Sequence, residues 1–172
     1  MVGMFSEVRG AISDWRSASD RDRLLQVIQP GLIGLIDGTI STLAPIFASA
    51  YVAGSRAALL VGLAAALGAA ISMGMSEALS DDGELTGRGG SIQRGVITGA
   101  ATFVGGTLHA LPFLISDLSK ALLVAYVVVS CELVVIAIVR KRFLHVSLAS
   151  SLVQVTVGGT IVAAVGVAVG HA

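Results

Sequence analysis

Three carboxylates interrupt long apolar stretches of this 172-residue chain: Asp37, Glu77 and Glu132. An acidic residue at the centre of a membrane-spanning helix costs about 2.5–3.5 kcal/mol, so each of these groups needs a partner or a function. At a rise of about 1.5 Å per residue, Asp37 lies roughly 13 Å from the start of its apolar stretch, near the middle of a bilayer. Glu77 lies near the end of its own stretch.

Met73 precedes Glu77 by one helical turn and reaches a depth similar to that of Asp37. A thioether combined with carboxylates suits a borderline divalent ion such as Fe²⁺ or Mn²⁺ better than Mg²⁺ or Ca²⁺, which prefer oxygen ligands alone. We therefore predict a metal site formed by Asp37, Met73 and Glu77. The competing interpretation is that Met73 only packs against lipid or a neighbouring helix.

Polar and sulfur-containing neighbours extend this hypothesis. We assign a translocation path or proton coupling to Ser41, Ser72, Met75 and Glu132. Glu132 has two interpretations, because it either carries a proton or pairs structurally with Gln154 on the following apolar stretch. We expect His109, which precedes Pro112, to be hydrogen-bonded or to lie at a helix kink rather than to ligate a metal.

The segment 80–91 (SDDGELTGRGGS) is polar and rich in glycine, which predicts a loop. Three acidic residues in it follow Glu77 closely: Asp81, Asp82 and Glu84. Two interpretations stay open, since the cluster either collects cations at the cytoplasmic mouth of a path or forms a solvated turn.

The composition identifies the kind of protein that must position these groups. Hydrophobic residues make up 55% of the chain and charged residues 13%, with a mean hydropathy of +0.89, well outside the range of soluble domains. The formal net charge is zero, which argues against a nucleic-acid partner. No P-loop, GxSxG or HExxH motif is present, so we expect no enzymatic activity and no permanently bound cofactor.

Five apolar stretches are long enough to cross a bilayer, at about 28–50, 56–79, 95–115, 119–139 and 144–170. The sequence therefore predicts an all-α, multi-pass membrane protein with five transmembrane helices. Nine of the eleven Lys and Arg residues fall on one side, and only Arg56 and Lys120 on the other. Because positive residues concentrate on the cytoplasmic side, we expect a cytoplasmic amino terminus and a carboxyl terminus outside.

We divide the chain into a cytoplasmic amphipathic segment, 1–27, and a five-helix transporter domain, 28–172. In the segment, one helical face collects apolar residues at spacings of three and four: Phe5, Val8, Ile12 and Trp15. This stripe predicts a helix that lies on the inner leaflet, or one that packs on the cytoplasmic ends of the spans.

Small residues on the first stretch, Gly34, Gly38 and Ser41, share a helical face with Pro45. Small residues at this spacing let two helices approach closely. If the partner helix came from a second copy of the chain, two Asp37 carboxylates would face each other and require a cation or a proton between them. We therefore expect a homodimer.

The strings GLIDGTIST at 34–42 and ISMGMSE at 71–77 resemble the two signature spans of the vacuolar iron transporter family. The strings LAPIF at 43–47 and EALSDDG at 77–83 resemble the bacterial membrane-bound ferritin branch most. The resemblance implies export of Fe²⁺ or Mn²⁺ from the cytoplasm in exchange for protons, by a homodimer with its path between subunits. Asp37 and Met73 match the family's first-span Asp and second-span Met.

The chain also departs from that family's pattern. Plant members carry a Glu eight residues before the Met, where this chain has Ala65, and a Glu-rich helical region where it has only the loop 80–91. The ferritin-like domain of the bacterial branch has no counterpart in 1–27. The sequence thus predicts a divalent metal exporter of the bacterial inner membrane. The alternative is a non-transporting scaffold that docks a soluble ferritin-like partner.

Overall fold

A computed structural model describes residues 19–172, and these are helical with no strand. The predicted stripe at Phe5–Trp15 lies outside the described residues. A short helical segment, 19–23, leads into a π-helical turn, Leu24–Ile28. The longer helices are α1 (Gln29–Ser41), α2 (Leu43–Ser80), α3 (Ser91–Leu108), α4 (Leu118–Leu144) and α5 (Leu148–Gly170), with a 3₁₀ turn at Leu111–Leu114 between α3 and α4.

The first predicted stretch, 28–50, is not one continuous α-helix. The helix breaks at Thr42, whose φ and ψ are −88° and −11°, and α2 begins at the next residue. Pro45 lies three residues later and has no N–H to donate to the carbonyl of Ser41, which accounts for a break at this place. Helix α2 then bends at Gly54, whose φ of 80° is a conformation that glycine adopts without strain. This bend falls where the sequence predicted a break.

The third predicted stretch, 95–115, was placed too late in the chain. Helix α3 begins at Ser91 and ends at Leu108, and the 3₁₀ turn at Leu111–Leu114 follows it. Pro112 within that turn cannot continue an α-helical hydrogen-bond ladder, so the chain changes direction here. The predicted loop after α2 is confirmed, because α2 ends at Ser80 and α3 begins at Ser91.

Contacts between distant segments define two ends of the helix bundle. At the amino-terminal end, the Gln26 side chain packs on Gly89 of the loop, and residues 20–28 share a pocket with residues 142–145. At the opposite end, the Tyr51 and His171 rings lie 4.4 Å apart. These contacts place the loop 80–91 and residues 142–145 beside the lead-in 19–28 at one end, and Tyr51 beside His171 at the other.

Helix α3 packs between α1 and α2 through small residues. A side chain at Gly34 or Gly38 would overlap the backbone of Thr98 or Thr102 on α3. The small-residue face of α1 is thus covered by α3 of the same chain, because only glycine lets two helix backbones come this close. The sequence argument that this face meets a second copy is wrong.

The apolar core is formed mainly by the first turns of α2, the 3₁₀ turn and the inward face of α4. Its largest members are fully buried or nearly so: Leu43, Ile46, Phe47, Phe113 and Ile136. The Phe47 ring stacks on that of Tyr126 with the centroids 5.0 Å apart, an offset contact that favours a fixed spacing between α2 and α4.

Three helical segments among the described residues are long and apolar enough to cross a membrane: Ser19–Ser80, Leu118–Leu144 and Leu148–Gly170. The first has 62 residues and bends at Gly54. Large aliphatic side chains cover the outside of these helices, among them Leu60, Leu67, Leu123, Val153 and Ile161. An apolar outer surface of this kind is compatible with a membrane protein, whose helices face hydrocarbon rather than water.

Candidate functional site

Asp37 of α1 and Met73 of α2 line the same groove, which has a volume of about 390 Å³. Ser41 also lines it, one helical turn beyond Asp37, and the remaining wall consists of Ile33, Ile36 and Ile40. We call this feature the Asp37 groove. It lies on the side of the bundle, in the half nearer the amino-terminal end, since Met73 lies only seven residues before the end of α2 at Ser80. The predicted depth match between the two residues is therefore confirmed.

The Asp37 groove combines one carboxylate, one hydroxyl and one thioether in an apolar wall. No Lys, Arg or His side chain among residues 19–172 forms an ion pair with Asp37. A carboxylate in apolar surroundings without a basic partner attracts a cation or a proton. Within the same residues, no group of three or more His, Cys, Asp or Glu side chains gathers to hold a metal ion.

The structure does not bring Ser72 and Met75 to the Asp37 groove. Both side chains are exposed on α2, and Met75 lines a different, apolar groove of about 520 Å³ between α2 and α3. Neighbouring positions of one helix point in different directions, so residues two apart cannot serve one site. This geometry makes Met75 the natural control for Met73.

Glu77, the third predicted metal ligand, lies one turn beyond Met73 but does not line the Asp37 groove; it is held by two guanidinium groups. Its Oε1 atom lies 2.8 Å from Nε of Arg94 and 2.8 Å from Nη2 of Arg88. Arg94 is fully buried, and a buried arginine requires a carboxylate partner to offset its desolvation. We call Glu77, Asp81, Arg88 and Arg94 the Arg94 cluster.

Arg94 also anchors the loop between α2 and α3. Its Nη1 donates to the carbonyl of Gly89 at 2.6 Å and to that of Arg88 at 3.2 Å. Its Nη2 donates to the carbonyl of Asp81 at 2.6 Å. One side chain thus satisfies both ends of the loop and closes it against the amino-terminal end of α3.

The acidic residues of the loop are engaged locally. Asp81 accepts from the Thr86 hydroxyl at 2.6 Å and from the N–H of Gly83 at 2.8 Å, and these bonds, with the nearby guanidinium groups, lower the pKa of its carboxyl. Asp82 accepts from the N–H of Glu84 at 3.0 Å. Side chains of Asp82 and Glu84 are exposed, so Asp81 belongs to the turn and only the other two face solvent.

A buried hydrogen-bond network links the break between α1 and α2 to the end of α3 and to α4. The Nε2 atom of His109 lies 2.8 Å from Oγ1 of Thr42, and its Nδ1 atom lies 3.0 Å from Oε2 of Glu132. All three residues are buried. The predicted hydrogen-bonded role of His109 is confirmed, at the place where α3 ends.

The Thr42 hydroxyl donates to the carbonyl of Gly38 at 2.8 Å, so its oxygen is free to accept from Nε2 of His109 in the tautomer that protonates this nitrogen. Nδ1 of His109 and Oε2 of Glu132 lie within hydrogen-bond distance of each other. Oε1 of Glu132 is buried without a hydrogen-bond partner among residues 19–172.

The predicted pairing of Glu132 with Gln154 is wrong. Gln154 accepts instead from Nη2 of Arg140 at 2.8 Å, near the amino-terminal end of the bundle. Glu132 lies two turns earlier on α4 than Arg140 and points inward to His109. Residues eight apart on one helix lie roughly 12 Å apart along its axis, so Gln154 cannot reach both.

Two residues that form important contacts in the structure were not singled out from the sequence. Arg94 entered only as one positive charge among nine, and Thr42 only as the last residue of the string 34–42. A signal for Arg94 exists, because it follows a loop with three acidic residues and begins an otherwise apolar helix. Thr42 gave no such signal, since its role depends on the position of His109 in the fold.

The chain matches no family model, no curated protein and no solved structure in comparisons with each.

Proposed function

We propose that this chain is a membrane transporter that exports Fe²⁺ or Mn²⁺ from the cytoplasm, in exchange for protons. The observation that carries the proposal is the Asp37 groove, where a carboxylate and a thioether from two different passes meet. That pair suits borderline divalent ions. The metal ion is the cargo, and Asp37, Met73 and Ser41 are its contacts within the apolar part of the bundle.

The proposed topology has five transmembrane passes, with the amino terminus in the cytoplasm of a bacterium and the carboxyl terminus outside. Support comes from the helical segments on either side of Gly54, 29–53 and 55–80, and from the three later helices 91–108, 118–144 and 148–170. Arg88, Arg94, Arg140, Lys141 and Arg142 all belong to the amino-terminal end, which agrees with the distribution of positive residues in cytoplasmic loops.

We further propose that the protein is a homodimer whose subunits meet over the Asp37 groove. The groove is open on the side of the bundle, and a carboxylate facing hydrocarbon is costly. A second subunit would cover Asp37 and leave a path between the two chains. This surface differs from the Gly34 and Gly38 face, which α3 already covers.

We assign proton coupling to the hydrogen-bond network of Thr42, His109 and Glu132. Thr42 adjoins Ser41, which lines the Asp37 groove, and lies at the break between α1 and α2. Gain or loss of a proton at His109 or Glu132 would change the charge balance at that break. We expect such a change to shift α1 and α2 relative to each other when protons and metal exchange.

The decisive experiment measures Fe²⁺ and Mn²⁺ flux into proteoliposomes under an imposed pH gradient. Asp37→Asn and Met73→Leu keep the side-chain shape and remove the ligand atom, and we expect each to reduce flux at least about tenfold. Met75→Leu and Asp117→Asn are the matched controls, because Met75 lines another groove and Asp117 lies exposed beside Lys120.

Equal flux in Asp37→Asn and in the wild type would contradict the site. A folded wild-type chain that moves neither ion would contradict transport itself and favour a scaffold that docks a ferritin-like partner. Glu132→Gln separates the coupling from the site, since we expect metal flux in this variant to persist but no longer to follow the pH gradient. Coupled flux in Glu132→Gln would remove Glu132 from the mechanism.

A further inference from the structure

A pocket of about 580 Å³ opens at the amino-terminal end of the bundle, between the helical lead-in 19–28 and the last turn of α4. Three arginines line it: Arg21, Arg23 and Arg142. Asp20 and His145 complete its polar wall. The pocket shares no residue with the Asp37 groove or the Arg94 cluster, so it belongs to neither site described above.

The pocket has an excess of positive charge. Arg21, Arg23 and Arg142 are exposed, and no carboxylate among residues 19–172 lies within ion-pair distance of them. By contrast, Arg88 and Arg94 at the same end are both paired with Glu77. Against three guanidinium groups the pocket wall carries one acidic side chain, Asp20, which makes the pocket attractive to an anion.

Apolar groups form the rest of the pocket wall. Leu24 and Ile28 lie on the lead-in, and Phe143 lies beside Arg142, whose guanidinium carbon is 5.7 Å from the centre of the Phe143 ring. The arginines therefore lie beside apolar side chains, on the lead-in that precedes α1 and in the last turn of α4. A ligand that fits must carry a negative group and an apolar part next to it.

We propose that this pocket binds the phosphodiester headgroup of an anionic phospholipid. Guanidinium groups bind phosphate oxygens through paired hydrogen bonds, and basic pockets at the cytoplasmic ends of membrane helices recognise such headgroups. Leu24, Ile28 and Phe143 contact the first carbons of the acyl chains. The bound lipid ties the amino-terminal lead-in to the end of α4. This inference does not depend on metal transport.

The test measures lipid binding to the full chain in detergent by native mass spectrometry, with phosphatidylglycerol and phosphatidylcholine as probes. The triple variant Arg21→Gln, Arg23→Gln, Arg142→Gln is compared with Arg56→Gln, which removes a charge at the opposite end. We expect the triple variant to bind phosphatidylglycerol at least about tenfold more weakly, because each basic residue near a membrane surface contributes to such binding. Arg56→Gln retains wild-type binding.

Two outcomes would overturn the proposal. One is equal binding of phosphatidylglycerol by the wild type and the triple variant, provided that size-exclusion chromatography and circular dichroism show both folded. The other is competition by inorganic phosphate at the same concentration as the lipid, which would indicate a site for the free anion. The single variant Arg142→Gln supplies a second reading if the triple variant fails to fold, and we expect it to weaken binding in the same direction.

Discussion

Asp37 and Glu77 both interrupt apolar stretches, yet the chain surrounds these two carboxylates in opposite ways. Glu77 meets two guanidinium groups at 2.8 Å each, and one of them, Arg94, is fully buried and bonded to three backbone carbonyls. Asp37 meets a hydroxyl, a thioether and three isoleucines. The charge of Glu77 is therefore balanced within the chain, whereas that of Asp37 is not.

The difference separates structural carboxylates from a carboxylate that is open to a ligand. Removal of either partner from a balanced buried pair leaves a charge with no compensation and costs stability. An unbalanced carboxylate in apolar surroundings lowers the stability of the empty protein and is compensated when a cation binds. Glu132 is an intermediate case, because one of its oxygens lies 3.0 Å from Nδ1 of His109 and the other has no hydrogen-bond partner among residues 19–172.

The largest expected effect is on the Arg94 cluster. Arg94→Met keeps a long apolar side chain but removes the partner of Glu77 and the bonds that close the loop. We expect a loss of about 3–5 kcal/mol in the free energy of unfolding, as for other broken buried pairs. Reversible unfolding in mixed detergent micelles measures it.

Lys120→Met is the control for that experiment. Lys120 pairs with Asp117 at 3.3 Å, but its side chain is 74% exposed, and exposed pairs contribute at most about 1 kcal/mol. Similar losses in Arg94→Met and Lys120→Met would show that burial does not distinguish the two pairs, and the comparison with Asp37 would lose its basis.

Gly38→Ala tests the close packing of α1 against α3. The added methyl group would overlap the carbonyl oxygen of Thr102, and overpacking of this kind costs about 1–3 kcal/mol. Gly68→Ala, on α2 with nothing within 4 Å of the new methyl group, is expected to stabilise its helix by about 0.5–1 kcal/mol. If Gly38→Ala disturbed only self-association and left the monomer's unfolding unchanged, the small-residue face would be an interface between chains after all.

Asp37→Asn is expected to raise the stability of the protein, whereas Arg94→Met and Gly38→Ala lower it. It removes an unbalanced charge from apolar surroundings, so we expect the metal-free protein to gain on the order of 1 kcal/mol. Glu77→Gln, which leaves Arg94 without its carboxylate, should lose stability in the same assay. A loss in Asp37→Asn of the size seen in Glu77→Gln would mean that Asp37 has a partner that balances it.

Much of the fold follows from the sequence because polar breaks and helix ends are local properties. The glycine-rich segment 80–91, the bend at Gly54 and the start of α4 after Asp117 all depend on nearby residues. The shared groove of Asp37 and Met73 also follows, since equal depth on adjacent antiparallel passes restricts where two side chains meet.

The pairing of polar groups across the bundle does not follow, because it depends on how each helix is rotated about its axis. A rotation of one residue, about 100°, decides whether Glu132 faces His109 or lipid. The assignment of Gln154 failed for this reason, since matched depth was its only argument. The glycines on α1 failed similarly, because small residues indicate a close helix but not which helix.

The smallest effect concerns Asp81, where charge balance predicts a dependence on pH. Hydrogen bonds from Thr86 and Gly83 lower the pKa of this carboxyl below its ordinary value of 3.8. A lowered pKa in the folded state means that Asp81 stabilises the fold above its ordinary pKa, and that this contribution disappears as the pH falls through the folded-state pKa. We therefore expect Asp81→Asn to lower the melting temperature at pH 7 and to change it less at pH 3.

Asp82→Asn is the matched control, because Asp82 is exposed and forms no ion pair with Arg88 or Arg94 among the described residues. We expect its melting temperature to follow that of the wild type at both pH values. If the Asp81→Asn difference stayed the same from pH 7 to pH 3, the charge of Asp81 would contribute nothing to the loop. The balance around Arg94 would then rest on Glu77 and the backbone carbonyls alone, which would sharpen the contrast between one paired carboxylate and the open one at Asp37.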